Sequence, residues 1–209
     1  MLILFYVLFG ISLVYIASTE KFRHYIQVYT LQGILLFGMA LMELRNFNYL
    51  NLIFILAETV IFKSLVVPYL LRKILSRTGL NVVHKNSLRG SYTVVLMLLN
   101  LGISLILAHV LSIPSVSDIF MVIAYFTLFT GLILIVARKL LFGHLVGFLI
   151  IENAVFLFSM AIGNEFPLLV NTGILLDIFV AVLIMSLFLT RIGHRMGGFE
   201  VETLSKLKD

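Results

Sequence analysis

Four ionisable side chains lie inside long apolar stretches of this chain. Glu58 and Lys63 share the stretch LIFILAETVIFKSLVVPYLL. Glu152 lies in HLVGFLIIENAVFLFSMAIG, and Asp177 lies in GILLDIFVAVLIMSLFL. A charge near the centre of a lipid bilayer costs on the order of 3 kcal/mol on insertion scales. Ionisable residues at such positions are functional candidates by default, so these four carry most of the chemical information in the sequence.

Proton exchange is the chemistry that suits these residue types. A carboxyl group in an apolar environment is neutral when dry and releases its proton when water or a cation approaches. We therefore expect Glu152 and Asp177 to form the core of an intramembrane proton relay. Glu58 and Lys63 would extend it, because a buried lysine changes its protonation state readily. The alternative is structural: protonated acids that hydrogen-bond a neighbouring helix, and an ion pair that holds two helices together.

The partner of Lys63 is open at this point. On a uniform α-helix, residues five apart point about 140° away from each other. Glu58 and Lys63 are therefore expected not to face each other. Asp177, Glu152 or an acid on another protein of the same assembly are the candidate partners for the lysine.

Three amides accompany the four ionisable residues. Gln32 in the second apolar stretch and Asn153 beside Glu152 are possible relay members or helix contacts. Asn100 is expected to make an interhelical hydrogen bond.

The composition indicates an integral membrane protein. The chain has 209 residues, of which 61% are hydrophobic and 12% are charged, against roughly 25% charged in soluble domains. The pI is 9.6, but the basic residues lie in short connections, which argues against nucleic acid as a partner. The chain has no cysteine, which excludes disulfides, thiol catalysis and iron–sulfur ligation within it. No catalytic motif and no spaced metal ligands occur, so we expect a non-catalytic chain without a metal.

Seven stretches are long and apolar enough for membrane-spanning helices. They are Leu2–Ser18, Ile26–Met42, Tyr49–Leu71, Tyr92–Leu111, Ile119–Ala137, His144–Ile162 and Leu168–Thr190. The first is expected to be a retained helix rather than a signal peptide, because no basic region precedes it and no small-residue cleavage site follows.

The lysines and arginines predict the orientation. Thirteen of the fifteen fall in alternate connections and the C-terminal tail, Arg45 lies on the other side, and Lys63 lies within a span. The N-terminus is therefore expected outside and the C-terminus in the cytoplasm.

Two parts of the chain resemble each other. RHYIQVYTLQGILLFGMAL compares with GHLVGFLIIENAVFLFSMAI, and LAETVIFKSLVVPYLLR compares with LLDIFVAVLIMSLFLTR. These comparisons pair Gln32 with Glu152 and Glu58 with Asp177. They predict a parallel repeat of three helices, one linking helix and three helices. The expected divisions are residues 1–78, the first repeat; 79–117, a basic cytoplasmic loop and the linking helix; 118–195, the second repeat; and 196–209, a cytoplasmic tail.

With these motifs in view, the chain resembles the hydrogenase-4 component E family, the membrane subunits of group 4 nickel–iron hydrogenase and formate hydrogenlyase-type complexes. The resemblance covers nearly the whole chain. It is carried by LAETVIFKSLVVPYLL, by GFLIIENAVFLF, by LLDIFVAVLIM and by the closing LSKLK. Each three-helix half is also similar to the K-type membrane protein of respiratory complex I and to the C-type component of multisubunit cation/proton antiporters. By position, Glu152 and Asp177 match the two mid-membrane acids of the K-type protein, whereas Gln32 replaces the first acid in the N-terminal half.

The resemblance implies a membrane-arm subunit in the cytoplasmic membrane of a prokaryote. Its partners would be antiporter-like subunits, a complex I-like membrane anchor, a peripheral nickel–iron hydrogenase module and lipid. The Ni-Fe centre and iron–sulfur clusters would lie in the partner subunits, with no cofactor in this chain. A purely structural assembly subunit and a free-standing small ion transporter are the alternatives.

Overall fold

The computed structural model describes residues 2–19, 21–43, 49–78, 90–111, 118–138 and 141–162, together with Asp177 and Phe179. These stretches are helical apart from short ends, which confirms the predicted all-α class for this part of the chain. The elements are α1 (Leu2–Ser18), α2 (Phe22–Glu43), α3 (Tyr49–Leu56), a π-helix (Ala57–Val66), α4 (Val67–Thr78), α5 (Gly90–Val110), α6 (Asp118–Ala137) and α7 (Leu141–Ile162).

Four of the described helices are long and apolar enough to cross a membrane. They are Phe22–Met42, Tyr92–Val110, Asp118–Ala137 and Phe142–Ala161. Helix α1 is apolar but has only 17 residues, and α3, the π-helix and α4 follow one another without a break. The predicted seventh span, the centre of the basic loop and the tail lie outside the described residues, apart from Asp177 and Phe179. The count of seven spans, the repeat and the orientation stay predictions.

Helix α2 lies at the centre of the described bundle. It packs against α1, against the π-helix and α4, and against α7. Helix α6 packs against α7, α5 and α1. The apolar side chains between these helices are buried, and α5 turns a row of large apolar side chains outward. A helix with such a face suits a lipid environment.

Two glycines let α6 and α7 approach closely. A Cβ added to Gly131 would lie 2.8 Å from the carbonyl oxygen of Gly147, and one added to Gly147 would lie 2.8 Å from that of Gly131. Small residues at such crossings allow backbone contact between membrane helices. Gly10 in α1, by contrast, has nothing within 4 Å of the position of a Cβ. The glycines at positions 10 and 131 therefore have different surroundings.

Polar contacts fasten the helices at two further places. The Nδ2 of Asn100 in α5 donates to the carbonyl oxygen of Phe126 and to the Oγ1 of Thr130 in α6, each at 3.1 Å. This confirms the predicted interhelical hydrogen bond. At the end of α6, the Nη2 of Arg138 donates to the carbonyl oxygens of Ala17 and Thr19 at 2.8 and 2.9 Å. Arg138 thereby ties the end of α6 to the end of α1.

The crossing of α6 and α7 leads to a first test. We expect Gly131→Ala to destabilise the folded protein by about 1–3 kcal/mol, because the added methyl group overpacks a backbone contact. Unfolding in mild detergent, followed by circular dichroism, measures this change. Gly102→Ala in α5 is the matched control, since a Cβ there meets nothing within 4 Å, and alanine is the better helix former. Equal stability of the two variants would contradict the tight crossing.

Candidate functional site

The structure brings Glu58 and Lys63 together, so the expectation that they do not face each other was wrong. The Nζ of Lys63 lies 3.4 Å from the Oε1 of Glu58. The reason is the local helix type: both residues lie in the π-helix Ala57–Val66. A π-helix bonds each residue to the one five positions away. A spacing of five residues, which separates side chains on an α-helix, therefore places them on the same face here.

Two hydrogen bonds show the five-residue spacing of the π-helix. The backbone N–H of Val67 donates to the carbonyl oxygen of Phe62, five residues earlier. The Oγ of Ser64 donates to the carbonyl oxygen of Thr59 at 2.9 Å, which is also five residues earlier. Pro68 follows at the start of α4 and has no N–H to offer to the preceding turn. Short π segments inside α-helices are frequent at functional sites, and this one carries both ionisable residues of its span.

The Glu58–Lys63 pair is completely shielded within the described bundle. The side chains of Lys63 and Glu58 are 0% and 1% exposed. In the described part of the chain, neither the Nζ of Lys63 nor either carboxyl oxygen of Glu58 has an aligned hydrogen bond. The ring of Phe156 in α7 lies 4.8 Å from the Nζ of Lys63, within the range of a cation–π contact. The pair is thus held by charge and an aromatic face rather than by a hydrogen-bond network.

Glu152 joins this pair to Asp177. Glu152 lies one helical turn before Phe156 on α7, is buried, and interacts electrostatically with Lys63. The charge of Asp177 also acts on the carboxyl group of Glu152. Asp177 itself is exposed. The order Glu58, Lys63, Glu152, Asp177 therefore leads from the interior of the bundle to an exposed carboxyl group.

The two amides that the sequence singled out bond to each other. The Nδ2 of Asn153 in α7 donates to the Oε1 of Gln32 in α2 at 3.1 Å. The Nε2 of Gln32 donates to the Oγ of Ser12 in α1 at 2.9 Å, and Ser12 donates to the carbonyl oxygen of Phe9 at 2.6 Å. This amide network joins three helices beside the ionisable residues. Its bonds are of the interhelical type that stabilises membrane bundles.

Two residues of the site escaped the sequence reasoning. A Cβ on Gly33 in α2 would clash with the Oγ of Ser64 and lie 2.9 Å from the carbonyl oxygen of Thr59. Gly33 therefore lets the π-helix pack directly on α2. Tyr29, one turn earlier on α2, is buried with its hydroxyl unpaired among the described residues, and the charges of Glu58 and Glu152 act on it. A lone glycine and a tyrosine in apolar stretches gave no signal of either role.

The arrangement is chemically suited to moving a proton between acids. Lys63 can exchange a proton with Glu58, its partner at 3.4 Å, while the charge of Glu152 acts on the lysine from α7. A neutral pair and an ion pair of the same two groups carry the same total charge. Transfer within such a pair therefore leaves the net charge of the bundle unchanged. Among the described helices no group of three histidine, aspartate or glutamate side chains has the arrangement of a metal site.

No family model, no curated protein and no solved structure matches this chain.

The buried pair predicts a strong non-additivity. We expect Glu58→Leu alone to cost about 3–5 kcal/mol of stability, because it leaves Lys63 buried without its partner. Glu58→Leu combined with Lys63→Met should regain most of that loss, since no charge then remains at this place. Unfolding of the purified protein in detergent measures both variants. Lys73→Met, at an exposed lysine of α4, is the control and should stay within about 0.5 kcal/mol. A double variant no more stable than Glu58→Leu alone would contradict a coupled pair.

The amide network makes a separate prediction. Gln32→Leu should destabilise the protein by about 1–3 kcal/mol, because the Nδ2 of Asn153 loses its acceptor inside the bundle. The control is Gln27→Leu on the same helix, where the side chain is exposed and the substitution should be nearly neutral. Both are measured by the same unfolding experiment, and an equal effect of the two would show that the network contributes nothing.

Proposed function

We propose that this chain is an ion-translocating subunit of a membrane arm, in which Glu58, Lys63, Glu152 and Asp177 relay protons sideways through the bilayer. The observation that supports this most is the position of Lys63. It is fully buried, 3.4 Å from Glu58, and it acts electrostatically on Glu152 of another helix. A lysine that served only to pair with Glu58 would not need a second acid whose charge acts on it.

In this relay, one proton is held by different groups in turn. When Glu152 is ionised, the Lys63 ammonium is drawn towards α7, and when Glu58 is ionised it is drawn back along its own helix. Asp177 takes up or releases the proton at the exposed end. Phe156 shields the lysine from lipid and holds it by a cation–π contact in both positions. Gln32 does not titrate, and with Asn153 it keeps α2 and α7 in register.

The setting proposed for this relay rests on the resemblance to the hydrogenase-4 component E family. The chain would lie in the cytoplasmic membrane of a prokaryote with its N-terminus outside, as seven helices in a parallel repeat. A peripheral nickel–iron hydrogenase module would supply the redox chemistry, with its Ni-Fe centre and iron–sulfur clusters outside this chain. Antiporter-like subunits and a complex I-like anchor would continue the path, which carries protons or sodium ions.

A structural assembly subunit is the second candidate. It is favoured by the direct Glu58–Lys63 contact within one helix and by the amide network across α1, α2 and α7, both of which stabilise a bundle without moving an ion. In that case neutral variants of the acids keep full coupling. A free-standing transporter, the third possibility, would move ions when the chain alone is placed in liposomes.

Variants of the acids separate the first two candidates. In vesicles of the host membrane, Glu152→Gln and Asp177→Asn should lower ion pumping at least about tenfold, because a group that exchanges protons is replaced by an isosteric amide. Assembly of the complex, checked by native electrophoresis, should be unchanged.

The control for these variants is Asp118→Asn, at an exposed acid where α6 begins, and it should pump normally. Pumping is measured as acidification or alkalinisation of the vesicles, and hydrogen turnover is measured separately. Normal pumping and normal turnover in both Glu152→Gln and Asp177→Asn would reject the relay and leave the structural role.

A further inference from the structure

A groove of about 670 Å³ runs along the outer face of α1. One wall is α1 itself, and the other is formed by α6 with a contribution from α5. The groove is almost entirely apolar. The α1 residues that line it follow a helical stripe from one end of the groove to the other: Tyr6, Val7, Gly10, Ile11, Val14, Tyr15 and Ser18.

The length of the groove matches one leaflet of a bilayer. From Tyr6 to Ser18 an α-helix rises about 18 Å, and half of the hydrocarbon core of a bilayer is about 15 Å thick. An acyl chain of one leaflet therefore fits along it. A second helix does not, because a cylinder about 10–12 Å across and 18 Å long would take about two to three times the available volume.

The groove ends at polar side chains. Ser18 is its last lining residue on α1, and the hydroxyl of Tyr15 lies 3.0 Å from the Nδ1 of His24 at the start of α2. Thr19 contacts the same nitrogen at 3.3 Å. The opposite end, near Tyr6 and Phe126, is lined only by apolar groups and a buried tyrosine. The groove is thus amphipathic along its length, apolar for most of its course and polar at the end of α1.

The polar end also carries positive charge. Lys21 lies between α1 and α2, Arg23 is the second residue of α2, and both are exposed. Arg138 binds the last carbonyl groups of α1 and lies over the ring of Tyr25. Glu20 is the one acidic residue in this stretch of the sequence, so the balance stays positive. The chain that continues from the end of α1 is therefore basic.

We propose that this groove is a binding site for an anionic phospholipid. One acyl chain lies between α1 and α6, and the phosphate faces Lys21 and Arg23 at the end of α1. The length of the groove, its volume and the basic residues near the end of α1 all fit this occupant. The site is separate from the buried relay residues, and it needs only that the helices lie in a membrane.

Gly10 offers a direct test because it lines the groove without touching anything else. Since a Cβ at Gly10 meets nothing within 4 Å, Gly10→Leu fills the groove without displacing a neighbour, and it removes a weak helix former. Gly102→Leu on α5 is the matched control, since Gly102 is equally open and does not line the groove.

The experiment is native mass spectrometry of the purified chain in detergent with added phosphatidylglycerol or phosphatidylcholine. The original protein and Gly102→Leu should retain phosphatidylglycerol in preference to phosphatidylcholine. Gly10→Leu should retain several-fold less phosphatidylglycerol. Lys21→Gln with Arg23→Gln should reduce its retention by about fivefold for each charge removed. The same double change at Arg72 and Lys73, two exposed basic residues of α4, is the control for charge.

Each outcome of this experiment bears on the groove. Loss of phosphatidylglycerol in Gly10→Leu and in the Lys21/Arg23 variant, with retention in both controls, supports the site. Full retention by Gly10→Leu would overturn it, and so would equal retention of the two lipids by the original protein. Circular dichroism of each variant, matched to that of the original protein, shows that any loss comes from the groove and not from unfolding.

Discussion

The rest of the site depends on one constraint: the ammonium group of Lys63 must be accommodated inside an apolar bundle. An unpaired charge there would be far more costly than any single helix contact is worth. The chain meets this constraint with three features that converge on the Nζ of Lys63. The π-helix turns Glu58 towards it, α7 brings the ring of Phe156 against it and adds the charge of Glu152, and Gly33 lets α2 pack closely on the π-helix. Together these features account for the place of the lysine in the structure.

Much of this arrangement was readable from the sequence because the signals were chemical and extreme. An acid or a lysine in a long apolar run stands out whatever the fold, so Glu58, Lys63, Glu152 and Asp177 were found from their surroundings alone. Asn100 and its interhelical bond followed from the same reasoning. The pairing within the site was not readable, because it depends on the type of helix. Nothing in AETVIFKSLV departs from what an α-helix tolerates, and the angle expected between Glu58 and Lys63 holds only for an α-helix. Gly33 and Tyr29 escaped for a related reason: their roles come from what packs against them, which a single sequence does not contain.

Two of the stretches that resemble each other lie in α2 and α7, and these helices pack against each other. Gln32 and Glu152 occupy equivalent positions in the two similar stretches, and in the structure Gln32 bonds to Asn153, the neighbour of Glu152. The counterpart positions thus lie on facing helices at the same level. Two acids at this contact would repel each other. Gln32 on α2 carries no charge, so α2 packs on α7 beside Glu152 and Asn153 without like charges in contact. A glutamine at position 32 is therefore compatible with close packing of α2 on α7.

The π-helix also changes the angular relation between the two ends of the span from Tyr49 to Thr78. Because its turns hold more residues than α-turns, the face that α3 presents to its neighbours is out of phase with the face that α4 presents. A single insertion or deletion between Ala57 and Val66 would rotate one end of this span against the other, whereas the same change at either end of the span would leave that angle unchanged. The span therefore behaves as two short helices with separate angular settings, joined by a segment whose length sets the angle between them. In a bundle whose centre holds a charge, that segment is where the chain tolerates a change of length least.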